Sequence, residues 1–273
     1  MLGERCLVMG VLNVTPDSFS ERDRFQDPAA AAAAAQAIEA AGADLIDVGG
    51  ESTRPGADPV SADEERARTV PVLKALRGRI SVPLSIDTSK ADVARAALAE
   101  GASLVNDISG LRYDPPLARV VADAGAALVV MHMRGRPDTM YEEAVYDRLI
   151  DEVIAEVRAS IGAATDSGVP LESMVVDPGI GFAKRASHSY GVLARLAEFA
   201  AALDRPVLVG PSRKSYLRDA SGGRPAAERD WASAAAVTAA VLGGAHIVRV
   251  HAVAEMVQVV RVAEEIRRLS HQP

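Results

Sequence analysis

The chain has 273 residues, 49% of them hydrophobic, which is enough to fill the core of one large α/β domain. Its formal net charge is −7, so no overall basic field favours nucleic acid or an anionic membrane, and we expect neither as a partner. Cys6 is the only cysteine, which excludes a disulfide framework and a zinc site built on cysteine pairs. Without a signal-peptide pattern or an apolar run near the roughly 20 residues of a membrane span, the sequence predicts a soluble, cytoplasmic protein.

Eight short apolar runs, many of them rich in β-branched residues, recur along the chain and predict β-strands. Their nearly continuous apolar character is typical of parallel strands that are covered on both faces. In chain order the predicted strands are residues 6–14, 44–48, 81–87, 103–106, 127–131, 174–177, 206–210 and 246–250.

The segments between these runs predict helices. Asp27 and Pro28 form an N-cap and a first helical residue before an alanine-rich stretch, and alanine has the highest helix propensity. Glycines, which tolerate the left-handed backbone of a helix end, stand before four of the later strands at Gly42, Gly101, Gly125 and Gly168. Eight strand–helix units fill residues 1–273 with no room for a second domain. The sequence therefore predicts a single-domain (β/α)8 TIM barrel of the α/β class, and not an open doubly wound sheet, because no GxGxxG pattern follows the first strand.

Polar side chains follow each of the eight predicted strands, at the end where (β/α)8 enzymes carry their catalytic residues. Loops are polar in any protein, so one such residue means little, but all eight strand ends share the pattern. Asp87, Asn106 and Asp177 follow three different strands and would meet in one pit. Two carboxylates and an amide suit a flat heterocycle that is rich in N–H donors.

A second group of strand-end residues suits an anion. Arg54, Arg249 and His251 supply the donors that favour a phosphate or pyrophosphate. Asn13 could offer a carbonyl oxygen to Mg²⁺, which takes few protein ligands when phosphate oxygens complete its shell. Lys214 follows the seventh strand near a predicted helix start, where backbone N–H groups also favour an anion.

Eight sequence blocks at these strand ends resemble the signatures of dihydropteroate synthases, which are pterin-binding barrel enzymes. The two longest are MGVLNVTPDSFS at residues 9–20 and DVGGESTRPGA at 47–57. Six shorter blocks follow in order: SIDT at 85–88, VNDISG at 105–110, MHM at 131–133, DPGIGF at 177–182, SRKS at 212–215 and VRVH at 248–251. One block alone is weak to moderate evidence. Eight in the right order, from Met9 to about Ile266, make the resemblance specific.

The resemblance implies a transferase of folate biosynthesis that joins 6-hydroxymethyl-7,8-dihydropterin pyrophosphate to p-aminobenzoate, giving 7,8-dihydropteroate and pyrophosphate. It also implies Mg²⁺ as cofactor, a homodimer, and a target of sulfonamides. Loss of pyrophosphate would leave an electron-poor carbon for the arylamine to attack, with carboxylates stabilising the pterin cation and Mg²⁺, Arg and His stabilising the leaving group. We expect the guanidinium of Arg249 to contact only that leaving group.

The resemblance also assigns roles to individual residues. The implied pterin-binding residues are Asp87, Asn106, Met131, Asp177, Phe182 and Lys214. The implied pyrophosphate-binding residues are Asn13, which also coordinates the metal, Arg54, Arg249 and His251. The implied p-aminobenzoate contacts are Phe19, Thr53, Pro55, Phe182 and Ser215. The implied catalytic residues are Glu21, Asp87, Asp177, Lys214, Arg249 and His251.

Two alternatives stay open. A pterin-dependent methyltransferase would share the barrel and the pterin pit but release no pyrophosphate, and it would not need Lys214 together with Arg249 and His251. A degenerate relative would bind pterin without turnover.

The chain departs from the family pattern in four places. Residues 21–23 read Glu-Arg-Asp where the family has Asp-Gly-Gly, which removes backbone freedom from the loop after the first strand. Ala183 and Arg185 replace a glycine and a threonine of the sixth loop, while Ser189 replaces an asparagine and Ala252 an aspartate. These changes bear on the motion of the first loop and the packing of the sixth more than on the ligand-binding residues.

Overall fold

The computed structural model describes residues 3–15, 28–54 and 56–270. In this part of the chain eight parallel strands alternate with helices. The strands are β1 Leu7–Asn13, β2 Leu45–Gly49, β3 Leu84–Asp87, β4 Leu104–Asp107, β5 Ala127–Met131, β6 Met174–Asp177, β7 Leu208–Val209 and β8 Ile247–Val250. The sheet order is β6-β5-β4-β3-β2-β1-β8-β7, and a parallel bridge from Val176 to Val207 brings the two outer strands together. The sheet thus closes into the predicted (β/α)8 barrel.

The helices follow the strands in the expected alternation, with one addition after β6. They are α1 Pro28–Ala40, α2 Ala62–Leu76, α3 Ala91–Ala99, α4 Pro116–Ala124, α5 Leu149–Asp166, α6 Ala186–Ala194, α7 Leu196–Leu203, α8 Asp230–Leu242 and α9 Val253–Ser270. The four glycines predicted to follow helices all have positive φ angles, between 61° and 105°. Because only glycine adopts this region without strain, these positions end the helices as predicted.

Two strands are shorter than the sequence predicts, and the others agree within one residue at each end. The third was expected to begin at residue 81, but the backbone N–H groups of Ser81 and Val82 donate to Glu39 Oε1 (2.7 and 3.2 Å) and not to a strand. The seventh was expected over 206–210. Pro206 has no N–H to donate to the sheet, and only Leu208–Val209 forms a regular ladder with β8.

The helix expected directly after the seventh strand is also different. Ser215–Leu217 forms a single 3₁₀ turn, and the next α-helix, α8, begins only at Asp230. Between them lie Gly222, Gly223 and Pro225, which disfavour a continuous helix. Lys214 is therefore followed by one short turn and not by the N-terminus of a full helix.

The barrel interior is apolar at its amino-terminal end. Side chains from seven strands form one buried cluster: Leu7, Met9, Leu45, Leu104, Val129, Val175, Leu208 and Ile247. Strand side chains alternate between the two faces, so the residue two positions later points into the same interior, one layer nearer the carboxyl ends. This layer is where the apolar filling stops.

Candidate functional site

The layer above the apolar filling contains polar and charged side chains. Asp47, Asn106, Asp177 and Arg249 each stand two residues after a member of the interior cluster, namely Leu45, Leu104, Val175 and Ile247. They therefore project into the barrel from four different strands. Met131 stands two residues after Val129 and adds an apolar side chain to the same layer. The alternation of the strands thus places three of the predicted pterin residues, Asn106, Met131 and Asp177, in one layer with Asp47 and Arg249.

Arg249 forms the centre of an ion-pair network on the floor of this pit. Its Nε donates to Asp47 Oδ2 (2.6 Å) and one terminal nitrogen donates to Asp87 Oδ2 (2.7 Å). Asp47 also accepts a hydrogen bond from the side-chain amide of Asn106 (2.9 Å). Both carboxylates are buried, Asp47 completely and Asp87 to 9% exposure. The expectation that Arg249 contacts only a leaving group is therefore wrong, since its guanidinium binds one of the proposed pterin carboxylates.

Asp177 and Lys214 form the opposite side of the pit. The Asp177 carboxylate accepts a hydrogen bond from the backbone N–H of Gly179 (2.7 Å) and is buried, with 5% of the residue exposed. Lys214 donates to the carbonyl of Ile180 (2.6 Å), and its ammonium lies 4.0 Å from the ring centroid of Phe182. Phe182 and Met131 belong to one buried apolar cluster, which supplies a wall beside the charged groups.

Burial shifts the titration of these groups towards their neutral forms. It raises the pKa of Asp87 to about 7, although the positive charge of Arg249 acts in the opposite direction. It also raises the pKa of Asp177, against the charge of Lys214 and the Gly179 N–H. The pKa of Lys214 falls to about 8, mainly through burial. A ligand that brings N–H donors to these carboxylates would favour their ionised forms.

Two of the residues predicted to bind an anion, Arg54 and His251, lie at the rim, whereas Arg249 lies on the floor. His251 Nδ1 is 3.0 Å from Ser212 Oγ, which itself accepts the backbone N–H of His251 (3.2 Å). In the tautomer in which the Ser212 hydroxyl donates to Nδ1, Nε2 carries the ring hydrogen and can donate to a ligand. Burial, then the charges of Arg249, Arg213 and Arg54, lower the pKa of His251 to about 3. The imidazole is thus a neutral donor, while the exposed Arg54 supplies charge nearby.

Asn13 ends β1 beside Asp87. A Cβ atom at Gly49 would lie 3.5 Å from Asn13 Oδ1 and 3.7 Å from Asp87 Oδ2, so both oxygens border the space that this glycine leaves open. Among residues 3–15, 28–54 and 56–270, no group of three or more His, Cys, Asp or Glu side chains could hold a metal ion.

The residues expected to contact p-aminobenzoate are only partly described. Thr53 is half-buried and borders, together with Asp87, a cavity of about 510 Å³ between the loops that follow β2, β3, β4 and β5. Ser215 is exposed, and its hydroxyl lies 2.9 Å from that of Tyr141. Three predicted site residues lie outside the described part of the chain: Phe19, Glu21 and Pro55.

Sequence reasoning gave no role to three residues that lie in the polar layer or behind it. Asp47 was quoted within the second block without a role, although a charged residue inside an otherwise apolar strand was a usable signal. Lys184 and His132 are both buried behind the turn that follows β6, with His132 Nδ1 2.7 Å from Lys184 Nζ. Nothing in their local sequence indicated that they meet.

Comparison with known proteins leads to one family. The sequence model of the pterin binding enzymes matches residues 9–251. The dihydropteroate synthase of Synechocystis is 44% identical over 266 residues, which cover 97% of this chain and 92% of the relative.

Solved structures agree with this result. The Yersinia pestis dihydropteroate synthase in complex with a sulfonamide drug has a TM-score of 0.91 and 41% identity, covering 97% of this chain and 95% of that one. The Xanthomonas albilineans dihydropteroate synthase with 4-aminobenzoic acid has a TM-score of 0.90 and 38% identity, covering 99% and 95%. The sequence comparison and the structural comparison therefore indicate the same family. In the described residues no helix is long and apolar enough to cross a membrane.

Proposed function

The chain belongs to the family of pterin binding enzymes, and from this premise we propose that it condenses 6-hydroxymethyl-7,8-dihydropterin pyrophosphate with p-aminobenzoate. The activity is that of a dihydropteroate synthase, a transferase of folate synthesis. The observation that carries the proposal is the polar layer of the barrel, where Asp87, Asn106 and Asp177 meet Lys214 and Arg249 around one pit.

The pit residues bind and orient the pterin. Asp87 and Asp177 accept the N–H groups of the ring from two sides, Asn106 adds an amide, and Phe182 with Met131 covers a ring face. As the C–O bond to pyrophosphate breaks, positive charge develops on the pterin and its methylene carbon. The two buried carboxylates stabilise that charge without reorganising.

The rim residues stabilise the leaving group. Arg54 and the Nε2–H of His251 bind the pyrophosphate, which departs with the electron pair of the C–O bond. Arg249 spans both regions, because the guanidinium that holds Asp47 and Asp87 also adds positive charge beneath the pyrophosphate. The amine lone pair of p-aminobenzoate, held by Phe19, Thr53, Pro55, Phe182 and Ser215, forms the new C–N bond and the amine then loses a proton. Glu21, two positions after Phe19 in the sequence, completes the proposed catalytic residues.

Magnesium is part of the proposal. Asn13 would hold the ion through its amide oxygen, with pyrophosphate oxygens and water as the remaining ligands. When bound, Mg²⁺ supplies charge stabilisation for the departing pyrophosphate.

The assembly and location are proposed as follows. Residues 1–273 act as one domain in the cytoplasm, where the buried thiol of Cys6 stays reduced. Two copies form a homodimer. In the described residues, several large apolar side chains are exposed on α8 and α9: Trp231 (90% exposed), Leu242, Val262, Ile266 and Leu269. Such surfaces support self-association.

Mass spectrometry of the reaction products tests the function. Purified protein, both substrates and Mg²⁺ should yield dihydropteroate and pyrophosphate, and an Asp177→Asn variant serves as a folded control with impaired chemistry. Pterin binding without dihydropteroate formation would identify a degenerate relative. Methyl transfer from a methylated pterin, without pyrophosphate release, would identify a methyltransferase.

A further inference from the structure

Lys184 is a buried charged residue that the proposed reaction does not use. It is 1% exposed and lies two residues beyond Phe182, between the turn of residues 178–183 and the start of α6. Its ammonium group has three acceptors within reach: His132 Nδ1 at 2.7 Å, the carbonyl of Gly179 at 3.2 Å and the carbonyl of Phe182 at 3.3 Å. A protonated lysine has three N–H donors, so the surroundings match the charged form.

His132 is suited to accept this hydrogen bond. Burial and the charge of Lys184 lower the pKa of His132 to about 3, so the ring is neutral. Its Nε2 lies 3.2 Å from Glu156 Oε2 without forming a hydrogen bond, and the nearby negative charge favours the ring hydrogen on Nε2, which leaves Nδ1 as the acceptor. Burial also lowers the pKa of Lys184, to about 7, so the ammonium is charged below neutral pH.

The two carbonyls bound by Lys184 belong to the turn that shapes the pterin pit. Gly179 donates its N–H to Asp177 Oδ1 at 2.7 Å, and Phe182 faces the ammonium of Lys214. The turn lies directly against the end of β5, because a Cβ atom at Gly179 would be only 2.0 Å from the carbonyl oxygen of His132. The hydrogen bonds of Lys184 therefore connect Gly179 and Phe182 in this turn to His132, the residue that follows β5.

Lys184 also acts on Asp177 through its charge. The positive groups that lower the pKa of Asp177 against burial come from three places: Lys214 after β7, Lys184 and the Gly179 N–H after β6, and Arg249 on β8. Asp87, in contrast, responds to Arg249, Asp47, Glu65 and Lys214. The two proposed pterin carboxylates thus differ in their dependence on Lys184.

We propose that Lys184 is a positioning residue of the pterin site: its ammonium group holds the turn of residues 178–183 in its binding conformation, and its charge favours the ionised carboxylate of Asp177. The inference rests on the proposed function, because it takes a pterin to be the ligand of Asp177.

The test is the pH dependence of binding of 6-hydroxymethylpterin, which lacks the pyrophosphate, followed by fluorescence titration. Lys184→Met removes all three donors and the charge while keeping a side chain of similar length. It should weaken binding by about 10- to 100-fold at pH 6, where the ammonium is charged, which is the scale of a lost hydrogen bond from a charged group. The acid limb of the binding profile that is due to Asp177 should move up by roughly one pH unit. The limb due to Asp87, whose pKa is about 7, should stay in place and serves as an internal reference.

Two further variants separate the two parts of the proposal. Lys184→Gln can still donate to the carbonyls but is neutral, so it should recover part of the affinity and keep the shifted limb. Arg185→Gln removes a positive charge from the exposed neighbour and should match the wild type in both respects.

The proposal is overturned if the acid limb due to Asp177 lies at the same pH in Lys184→Met as in the wild type. If Lys184→Met does not fold, the same comparison is made with Lys184→Gln. An equal shift in Arg185→Gln also overturns the proposal. A wild-type protein that binds pterin but makes no dihydropteroate refutes the proposed activity alone, and the Lys184 comparison remains valid.

Discussion

Replacing Arg249 with methionine tests whether this residue is structural as well as ligand-binding. The guanidinium bridges Asp47 and Asp87, at 2.6 and 2.7 Å, on the floor of the barrel. Methionine has a similar length and no charge, so the substitution leaves two buried carboxylates without their cation and creates little empty volume. Breaking a buried ion pair in this way costs about 3–5 kcal/mol of unfolding free energy.

The loss should depend on pH through Asp87. Its folded pKa of about 7 lies above the unfolded value of about 3.9, so its stabilising contribution is full below pH ~4 and is lost as pH rises through 7. Without Arg249 this pKa rises further, so below pH ~7 the carboxyl is protonated in both proteins and the variant loses only the Asp47 pair. Above pH ~7 the wild type ionises Asp87 against Arg249 and the variant cannot. Over 1.5 pH units this adds about 2 kcal/mol to the difference.

The assay is urea unfolding followed by circular dichroism at pH 5.5 and pH 8.5. The loss of unfolding free energy in Arg249→Met should be about 2 kcal/mol larger at the higher pH, and adding Asp87→Asn should abolish that pH difference. The variant should also bind an unphosphorylated pterin more weakly, because Asp87 loses its partner. A loss below about 1 kcal/mol, or the same loss at both pH values, refutes this account of the ion-pair network.

Three other predictions concern the sixth loop, the pterin site and the first loop. Ala183 has a φ of +46°, a strained left-handed conformation for a residue with a Cβ, so Ala183→Gly should stabilise the fold by about 1 kcal/mol, and an unchanged or lower Tm would contradict this. Asp177→Asn should lower kcat/KM by about 10²–10³ with little change in stability, because the amide oxygen can still accept from Gly179, and near wild-type turnover in steady-state assays would rule out the role. Arg22→Gly with Asp23→Gly should raise kcat/KM for p-aminobenzoate by easing closure of the first loop, and Glu21→Ala should lower it; unchanged p-aminobenzoate kinetics in both would end the closure hypothesis.

Much of the fold could be predicted from the sequence because each barrel strand has a recognisable local pattern of residues. Each run was apolar, and each was followed at once by polar residues, as at Asp87 and Asp177, so strand number, order and carboxyl ends could be read locally. The shortened third strand was less accessible, since its first residues bind Glu39, 42 positions earlier in the chain.

The candidate ligand residues were likewise identified from blocks of a few residues. These blocks do not indicate which side chains bind each other. Arg249 pairs with Asp47 and Asp87, 202 and 162 residues away, and Lys184 reaches His132 at a separation of 52. From the sequence alone, an arginine at a strand end could donate hydrogen bonds to an anionic ligand or form ion pairs with two acidic side chains.

Closure of the barrel brings Arg249 into contact with the two acidic side chains. It places the second interior layers of β2, β3 and β8 around one axis, where burying two carboxylates without a cation would cost several kcal/mol. The barrel and the polar groups at its carboxyl-terminal end can be read from the amino-acid order, because hydrophobic periodicity and short motifs are local. That Arg249 binds Asp47 and Asp87, and that Lys184 meets His132, becomes visible only in the folded chain, because pairing between distant side chains depends on the space in which they meet.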